Sequence, residues 1–553
     1  MASTDTTTSI DPRLTELPRL ALNQAPPLIP ANFAELDLPL REALEREGAA
    51  WAMDDLLALG ATAGSVEAAE HAWRAEHHEP ILRTHDRYGR RIDEVQLDPS
   101  WHWLLDGGIS NGLAASPWRD PGPGAHVARA AKFMTWGQAN AGVMCPISMT
   151  YAAVPALRDG APDLAATWEP RLTSLDPAES AVAGMAMTER QGGSDVRANR
   201  TRAVDHGGGE YELWGHKWFC SYPPCDIFLV LAQTTDDPGA PSCFLVERGP
   251  GMEFQRLKDK LGTRSLASSE VEFRGIRARL IGEEGRGVPA IVRMVNHTRL
   301  DCTLGAASTM RRGTLEAIHH ATHREAFGGR LVDLPAMRNV LADLALESEA
   351  ATATALRLAR TYDDDTPVLR RIATAIEKYW ISKRAAAHAA EALECLGGNG
   401  YVEESGMPLL YRDAPLNGIW EGSGNVAALD VLRAITKETH ALPAFLAECE
   451  LARGADRRFD AHLDATVARA AGLLTGNGDG DAAAAIFAAQ FGARRLVEDL
   501  AVAFQGSLLV RHAPPAVADA FCAGRLDADR GRVYGTLPTG VDTAALIGRA
   551  LGG

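Results

Sequence analysis

The sequence predicts an α+β protein in which two helical blocks flank a small β domain and a further helical block closes the chain. Three observations carry this. Residues 1–180 are Ala/Leu-rich without strand alternation, as in Leu38–Glu47 and His126–Ala141. From Tyr211 to Ile281 come short β-type runs (Tyr211–Phe219, Ile227–Gln233, Cys243–Glu247, Glu270–Phe273) punctuated by Asp205–Gly209 and Asp236–Gly239. Helical periodicity then returns near Pro289, with Met337, Val340, Leu341 and Leu344 spaced as one buried helix face.

At 553 residues the chain is too long for one core. The changes of character place four domains at 1–180, 181–289, 290–440 and 441–553. The β segment is too short of long helices for a βαβ array, so a small barrel or sandwich is expected. The Pro-rich stretch Gln24–Pro30 reads as an extended arm. Gly476–Asp481 reads as a flexible linker inside the last block.

The balance of 46% apolar and 23% charged residues is that of a globular protein, and the net charge of −16 argues against a globally basic nucleic-acid binder. Ala and Arg are abundant and Lys is scarce. Met1–Ala21 lacks the basic-then-apolar pattern of a secretion leader, and no apolar run reaches membrane-spanning length. The eight cysteines are scattered with no C-x-x-C pair. Reduced thiols in a cytoplasmic protein are therefore expected, with no disulfide framework and no metal site.

Two segments carry chemistry. Met187–Ala198 (M-T-E-R-Q-G-G-S-D-V-R-A) is either a solvated polar loop or a ligand site offering hydroxyls and open glycine backbone. Lys217–Ser221 ends a strand by placing Trp218, by default a core residue, close to the Ser221 hydroxyl. The second segment, Leu396–Val426, contains L-G-G-N-G-Y and I-W-E-G-S-G-N. Gly397, Gly398 and Gly400 follow a helix, which a C-cap turn explains, and they are not a Rossmann fingerprint. Glu421 is either an ordinary acid near a helix start or, with Trp420 raising its pKa, a general base.

Met187–Ala198, Arg324–Gly328 (R-E-A-F-G), Leu396–Tyr401 and Trp420–Asn425 resemble, in order, the motifs of the acyl-CoA dehydrogenases. Leu22-Asn23-Gln24, Arg90–Asp93, Cys145–Tyr151, Leu257–Leu261 and Glu403–Ser405 extend a similarity to the AidB branch of that family nearly end to end. The resemblance implies the acyl-CoA dehydrogenase fold: an N-terminal helical domain, a central β-barrel and a C-terminal helical bundle, here with an extra helical domain. It implies FAD, with Met187, Thr188 and Ser194 at the isoalloxazine end, or Ser194 nearer the pyrophosphate, Trp218 against the rings and Ser221 near N5. Ser423 and Asn425 would meet the ribityl-phosphate or adenosine side. Arg324, Phe327, Gly397 and Gly398 would hold the ADP part of a FAD bound mainly by a neighbouring subunit, in a homotetramer.

Two positions depart from the family pattern: Glu394 stands for a usual Gln, and Pro335 where a Gln often touches the ADP. The implied reaction is α,β-dehydrogenation of an acyl-CoA thioester with Glu421 as the base, passing electrons to an acceptor the sequence does not name. The retained glutamate speaks against a flavin monooxygenase on the same fold. A second reading is an alkylation-response flavoprotein with vestigial turnover that binds duplex DNA through Arg433 and Arg530. Residues 441–553 carry 11 Arg and no Lys against 13 acids. Arg457, Arg458, Arg494, Arg495, Arg525, Arg530 and Arg532 form either a basic face or ion pairs with neighbouring acids.

Overall fold

The computed structural model describes residues 23–234, 239–475 and 482–553. The stretch read for a leader, Leu22, most of the Asp236–Gly239 turn and the Gly476–Asp481 linker lie outside the described residues.

The first block packs helices α1 (Leu38–Arg46), α2 (Met53–Ala63), α3 (Val66–His77), α4 (Pro99–Ser110), α5 (Ala125–Gly137), α6 (Met144–Gly160) and α7 (Pro162–Leu172). Their starts are written locally: Asp37, Ser65 and Asp98 each accept a backbone N–H of the first turn of α1, α3 and α4. One feature interrupts this mostly helical block. Strands β1 (Ile81–His85) and β2 (Arg91–Gln96) form an antiparallel hairpin between α3 and α4. Its faces are largely exposed, so the apolar alternation that marks a half-buried strand is weak there.

The middle block is one seven-stranded sheet. It comprises β3 (Ala183–Ala186), β4 (Arg202–Gly207), β5 (Glu210–Cys220), β6 (Ile227–Ala232), β7 (Ser242–Glu247), β8 (Met252–Leu257) and β9 (Ser269–Ile281). The order is β3-β6-β7-β9-β5-β4, with β8 added on β9. A bridge from Arg202 to Gln233 returns the far strand to the end of β6 and closes the sheet on itself. There Ala203 N–H donates to Gln233 O at 2.8 Å and Gln233 N–H to Thr201 O at 2.8 Å. The bridge pairs the start of β4 and, among the described residues, leaves β3 and β8 each with one unpaired side. β6 is buried along its whole length, which is why it reads as an unbroken apolar run. The runs Ala183–Ala186, Arg202–Gly207 and Met252–Leu257 are too short or too polar to stand out in the sequence.

The 37-residue helix α8 (Gly287–His323) then packs against α9 (Pro335–Asp363) and α10 (Pro367–Cys395). A two-pair hairpin at Glu325–Arg330 joins α8 to α9. Leu341 and Leu344 of the periodic face are buried in α9, and Met337 and Val340 pack against the same core. Pro335 sits in the first turn of α9, where a missing N–H costs nothing. After α11 (Met407–Asp413) and α12 (Gly424–Lys437), the last block supplies α13 (Ala441–Glu450), α14 (Arg457–Thr475), α15 (Ala482–His512), α16 (Pro515–Phe521) and α17 (Thr543–Arg549).

Helix α15 lies across α9, α10 and α12, and Phe445, Leu496, Val497, Leu500 and Phe504 join the same apolar cluster as the bundle. Buried ion pairs fasten this block. Arg525 reaches Asp343 at 2.5 Å and Glu347 at 2.8 Å, Arg384 reaches Glu347 at 2.9 Å, and Arg549 bridges Glu42 and Glu349. Burial works against the Glu347 charge, but Arg384 and Arg525 hold its carboxyl down to about 2. Arg525 is thus an internal fastener rather than part of a basic face, because its partners lie on α9 and not next to it in sequence. All eight cysteines are buried and unpaired. No helix among the described residues is long and apolar enough to cross a membrane.

Candidate active site

Glu421 lies in the turn before α12, at φ +56°, a left-handed conformation that costs a non-glycine residue free energy. Three bonds hold the turn. Lys378 Nζ of α10 donates to Trp420 O at 2.8 Å and Gly422 O at 2.5 Å, and Arg299 Nε of α8 donates to Glu421 O at 3.0 Å. Asp430, paired with Arg299 at 2.7 Å and Arg371 at 2.7 Å, locks that arginine in place. Thr298 Oγ1 donates to Glu421 Oε2 at 2.8 Å. Burial raises the Glu421 pKa above the ordinary carboxylate value, while Thr298, Arg299 and Lys378 pull it back.

The carboxylate looks into a cavity of ≈ 610 Å³, counting its open mouth, between α5, α6, α8 and the Glu421 turn. Its wall is mainly apolar, including Phe133, Met144, Met149, Cys302 and Trp420. Cys145 of α6 also lines it and lies within hydrogen-bonding reach of the Ser221 hydroxyl. Burial pushes the Cys145 thiol up to about 12, so it stays neutral. Cys145 thus joins the end of β5 to the cavity that holds Glu421.

At that strand end the pairing of β5 with β9 shifts register between Lys217 and Cys220. The shift breaks the in–out alternation. Lys217 becomes the fully buried residue, Trp218 is half-buried and Phe219 is 48% exposed, so Trp218 is not the core residue that its type favours. Lys217 pairs with buried Glu189 at 2.9 Å. Glu189 also accepts from Arg200 N, Thr201 N and Thr201 Oγ1. Burial opposes the Glu189 charge, yet Lys217 and these donors bring its carboxyl down to about 2. The anchored loop sets Met187 and Thr188 beside Trp218, whose N–H donates to Thr188 O at 2.8 Å. Lys258 Nζ stands 3.2 Å from the Trp218 ring centroid. Ser194 is exposed on the outer part of the same loop.

A flavin dinucleotide fits these residues. Ser423 is the N-cap of α12, yet its hydroxyl makes no capping bond. A Cβ on Gly424 would fall 2.9 Å from Lys383 Cε and 3.1 Å from Arg494 Nη2. Cations at a helix N-terminus oppose its dipole unless an anion lies between, as a pyrophosphate would. Asn425 is exposed in the same first turn. Arg324, Phe327, Gly397 and Gly398 line no part of the Glu421 cavity. They lie instead at the Glu325–Arg330 hairpin and at the 3-10 turn Gly397–Tyr401.

The profile of the AidB N-terminal domain matches residues 23–176, that of the acyl-CoA dehydrogenase middle domain residues 184–276, and that of the acyl-CoA dehydrogenase C-terminal domain residues 285–436. AidB of Escherichia coli K12 is 41% identical over 532 residues, covering 92% of this chain and 94% of AidB. The chain belongs to the AidB branch of the FAD-dependent acyl-CoA dehydrogenase family. Acyl-CoA dehydrogenase family member 11 of Caenorhabditis elegans is 35% identical over 68% of this chain and 66% of its own length. The structure of nematode ACDH-11 with C11-CoA superposes with a TM-score of 0.83, at 26% identity, over 100% of this chain and 93% of that one. Apo Bd2924 gives 0.81 at 29% identity, covering 89% and 99%.

Against this family background, sequence motifs point to Glu421 but not to the residues that hold it. Thr298 and Arg299 sit mid-helix in no motif, and Lys378 looks like one more helix charge. One signal was available. The chain has only seven lysines, and Lys217, Lys258, Lys378 and Lys383 all stand at this site. A compact ammonium fits between converging carbonyls where a planar guanidinium does not.

The residues of the DNA-binding expectation lie apart from this site. Arg433 is exposed on α12, 3.7 Å from Asp430. Arg530 lines a cleft in the last block together with Arg495, Arg532, Glu498 and Asp499. Arg458 pairs with Asp456 and Asp519, and Arg469 and Arg495 with Asp499, so part of the arginine cluster is neutralised.

Proposed function

We propose that the protein removes hydrogen across the α,β bond of an acyl-CoA thioester, with Glu421 as the base. The observation that carries this is a carboxylate of raised pKa, held by Thr298 and facing a mainly apolar cavity. Glu421 takes the α-proton, and the apolar wall excludes the water that would compete for it. When bound, FAD supplies the two-electron acceptor for the hydrogen leaving the β-carbon. Met187, Thr188 and Trp218 form the ring seat, with Ser221 at its edge, and Ser423 and Asn425 meet the phosphate side. That the nematode neighbour holds an acyl-CoA supports the substrate class.

The assembly in this reading is a cytoplasmic homotetramer. Arg324, Phe327, Gly397 and Gly398 are set away from the Glu421 cavity, as a site completed by a second subunit requires. The buried, unpaired thiols suit a reducing compartment. Sedimentation of a fully flavinated monomer overturns the shared site.

Anaerobic mixing with a panel of acyl-CoAs tests the activity. At least one should bleach the yellow protein, and Glu421→Gln should abolish bleaching while keeping the flavin spectrum. Colourless protein that ignores added FAD, or a Glu421→Gln variant that bleaches at the same rate, defeats the proposal. A second reading, duplex DNA held through Arg433 and the arginine-lined cleft around Arg530, is favoured by that cleft and by the exposure of Arg433.

A further inference from the structure

The N-terminal arm crosses the protein to reach the two elements set away from the Glu421 cavity. The Asn23 side chain pairs with both backbone groups of Glu325: Nδ2 donates to its carbonyl at 2.9 Å, and its N–H donates to Oδ1 at 2.7 Å. Arg324 Nη1 donates to Asn23 O. The next residue turns to the other element, where Asn399 Nδ2 donates to Gln24 Oε1 at 2.8 Å. Two residues on, Pro26 O and His319 Nε2 stand 2.8 Å apart, fastening the arm to the last turns of α8. Residues 23–26 therefore join the Arg324 hairpin, the Gly397–Tyr401 turn and the end of α8.

Neither element is fixed by a core of its own. The hairpin has two paired positions, too few to be stable alone. Its tip carries Phe327 at φ +54° and 97% exposed. In the turn, Tyr401 is 82% exposed, and a Cβ at Gly397 or Gly398 would meet nothing within 4 Å. Two exposed aromatic rings, an open glycine backbone and a guanidinium are the groups that take a purine and its phosphates. The bond to Asn23 uses one of the five guanidinium N–H groups and leaves the rest for an anion.

We infer that Asn23 and Gln24 are positioning residues for the adenosine-diphosphate half of FAD, setting the spacing between the Arg324 hairpin and the Gly397–Tyr401 turn. The inference rests on the FAD reading above. Both residues are exposed, so their loss leaves the core intact. Their amides suit the task because each bonds to a neighbouring element without adding charge beside a pyrophosphate.

The test is titration of full-length apoprotein with FAD and, separately, with FMN, which lacks the adenosine. Asn23→Ala and Gln24→Ala should each weaken FAD binding about three- to tenfold, the worth of one or two hydrogen bonds. FMN affinity should stay within about twofold, because the flavin-ring seat is untouched. A purely structural role for the arm would lower the melting temperature of the apoprotein and weaken both flavins together, and that result overturns the inference. Undiminished FAD affinity in both variants overturns it as well, with the FAD reading left standing. Wild-type protein that binds neither flavin removes both.

Discussion

Lys378 grips the chain on both sides of Glu421, donating to Trp420 O at 2.8 Å and to Gly422 O at 2.5 Å. The ammonium is buried, and burial lowers its pKa. It serves as a clamp that holds Glu421 in its left-handed conformation and aims the carboxylate into the cavity. Lys378→Met keeps length and bulk but leaves two carbonyls unpaired. In the dehydrogenase reading, kcat should fall about 100-fold, the cost of a base misplaced by about 1 Å. The rate at which acyl-CoA reduces the flavin measures this, and unchanged kcat with a lower melting temperature would reduce Lys378 to a structural role.

Thr298 tunes the same carboxylate. Burial raises the Glu421 pKa and the Thr298 hydroxyl lowers it. A base works only when deprotonated, so Thr298→Val should raise that pKa further and move the acid limb of the kcat/KM profile to higher pH. A limb at the same pH in wild type and variant would mean that the group titrating there is not Glu421.

Glu347 decides how firmly the last block sits on the bundle. Its folded-state pKa of about 2 lies below the ordinary glutamate value of 4.5. Its stabilisation is therefore present above about 4.5 and drains away as pH falls towards about 2. Glu347→Gln leaves Arg384 and Arg525 short of a counter-charge, and should cost about 3–5 kcal/mol at neutral pH, the usual price of breaking a buried pair. Denaturant melts at pH 7 and pH 3 check this: the gap between wild type and variant should shrink at the lower pH.

The duplex-DNA reading is tested at Arg433 and Arg530. A phosphate-driven interaction is indifferent to sequence and weakens steeply with salt. Arg433→Glu with Arg530→Glu should lower affinity equally for unrelated duplexes and leave FAD content unchanged. A mobility-shift titration at low salt decides it, and no shift by wild type at micromolar protein ends this reading.

The order of helical, β, helical and again helical blocks was legible in the sequence because it rests on local periodicity and turn residues. An apolar run such as β6 or the spaced Met337–Leu344 face announces its partner-facing side in any context. Glu421 stood out as a candidate for another reason: its glycine-rich surroundings are a local pattern that resembles the family motif. The β1–β2 hairpin was not legible, since its inward face is only half-buried and mixes Leu82 and Val95 with Thr84 and Asp93, which leaves a weak alternation.

What only the tertiary structure decided is which polar groups meet across long separations. Thr298 and Glu421 are 123 residues apart, and Arg525 and Glu347 are 178 apart. No periodicity encodes such pairings; they exist because packed helices bring the two groups into one low-dielectric space. The register shift in β5 is of the same kind. It set Lys217 inside and Trp218 at the surface of the site, the reverse of what residue type alone favours. The physical reason is that a buried cation is acceptable once Glu189 and two carbonyls surround it, and only the folded chain supplies them.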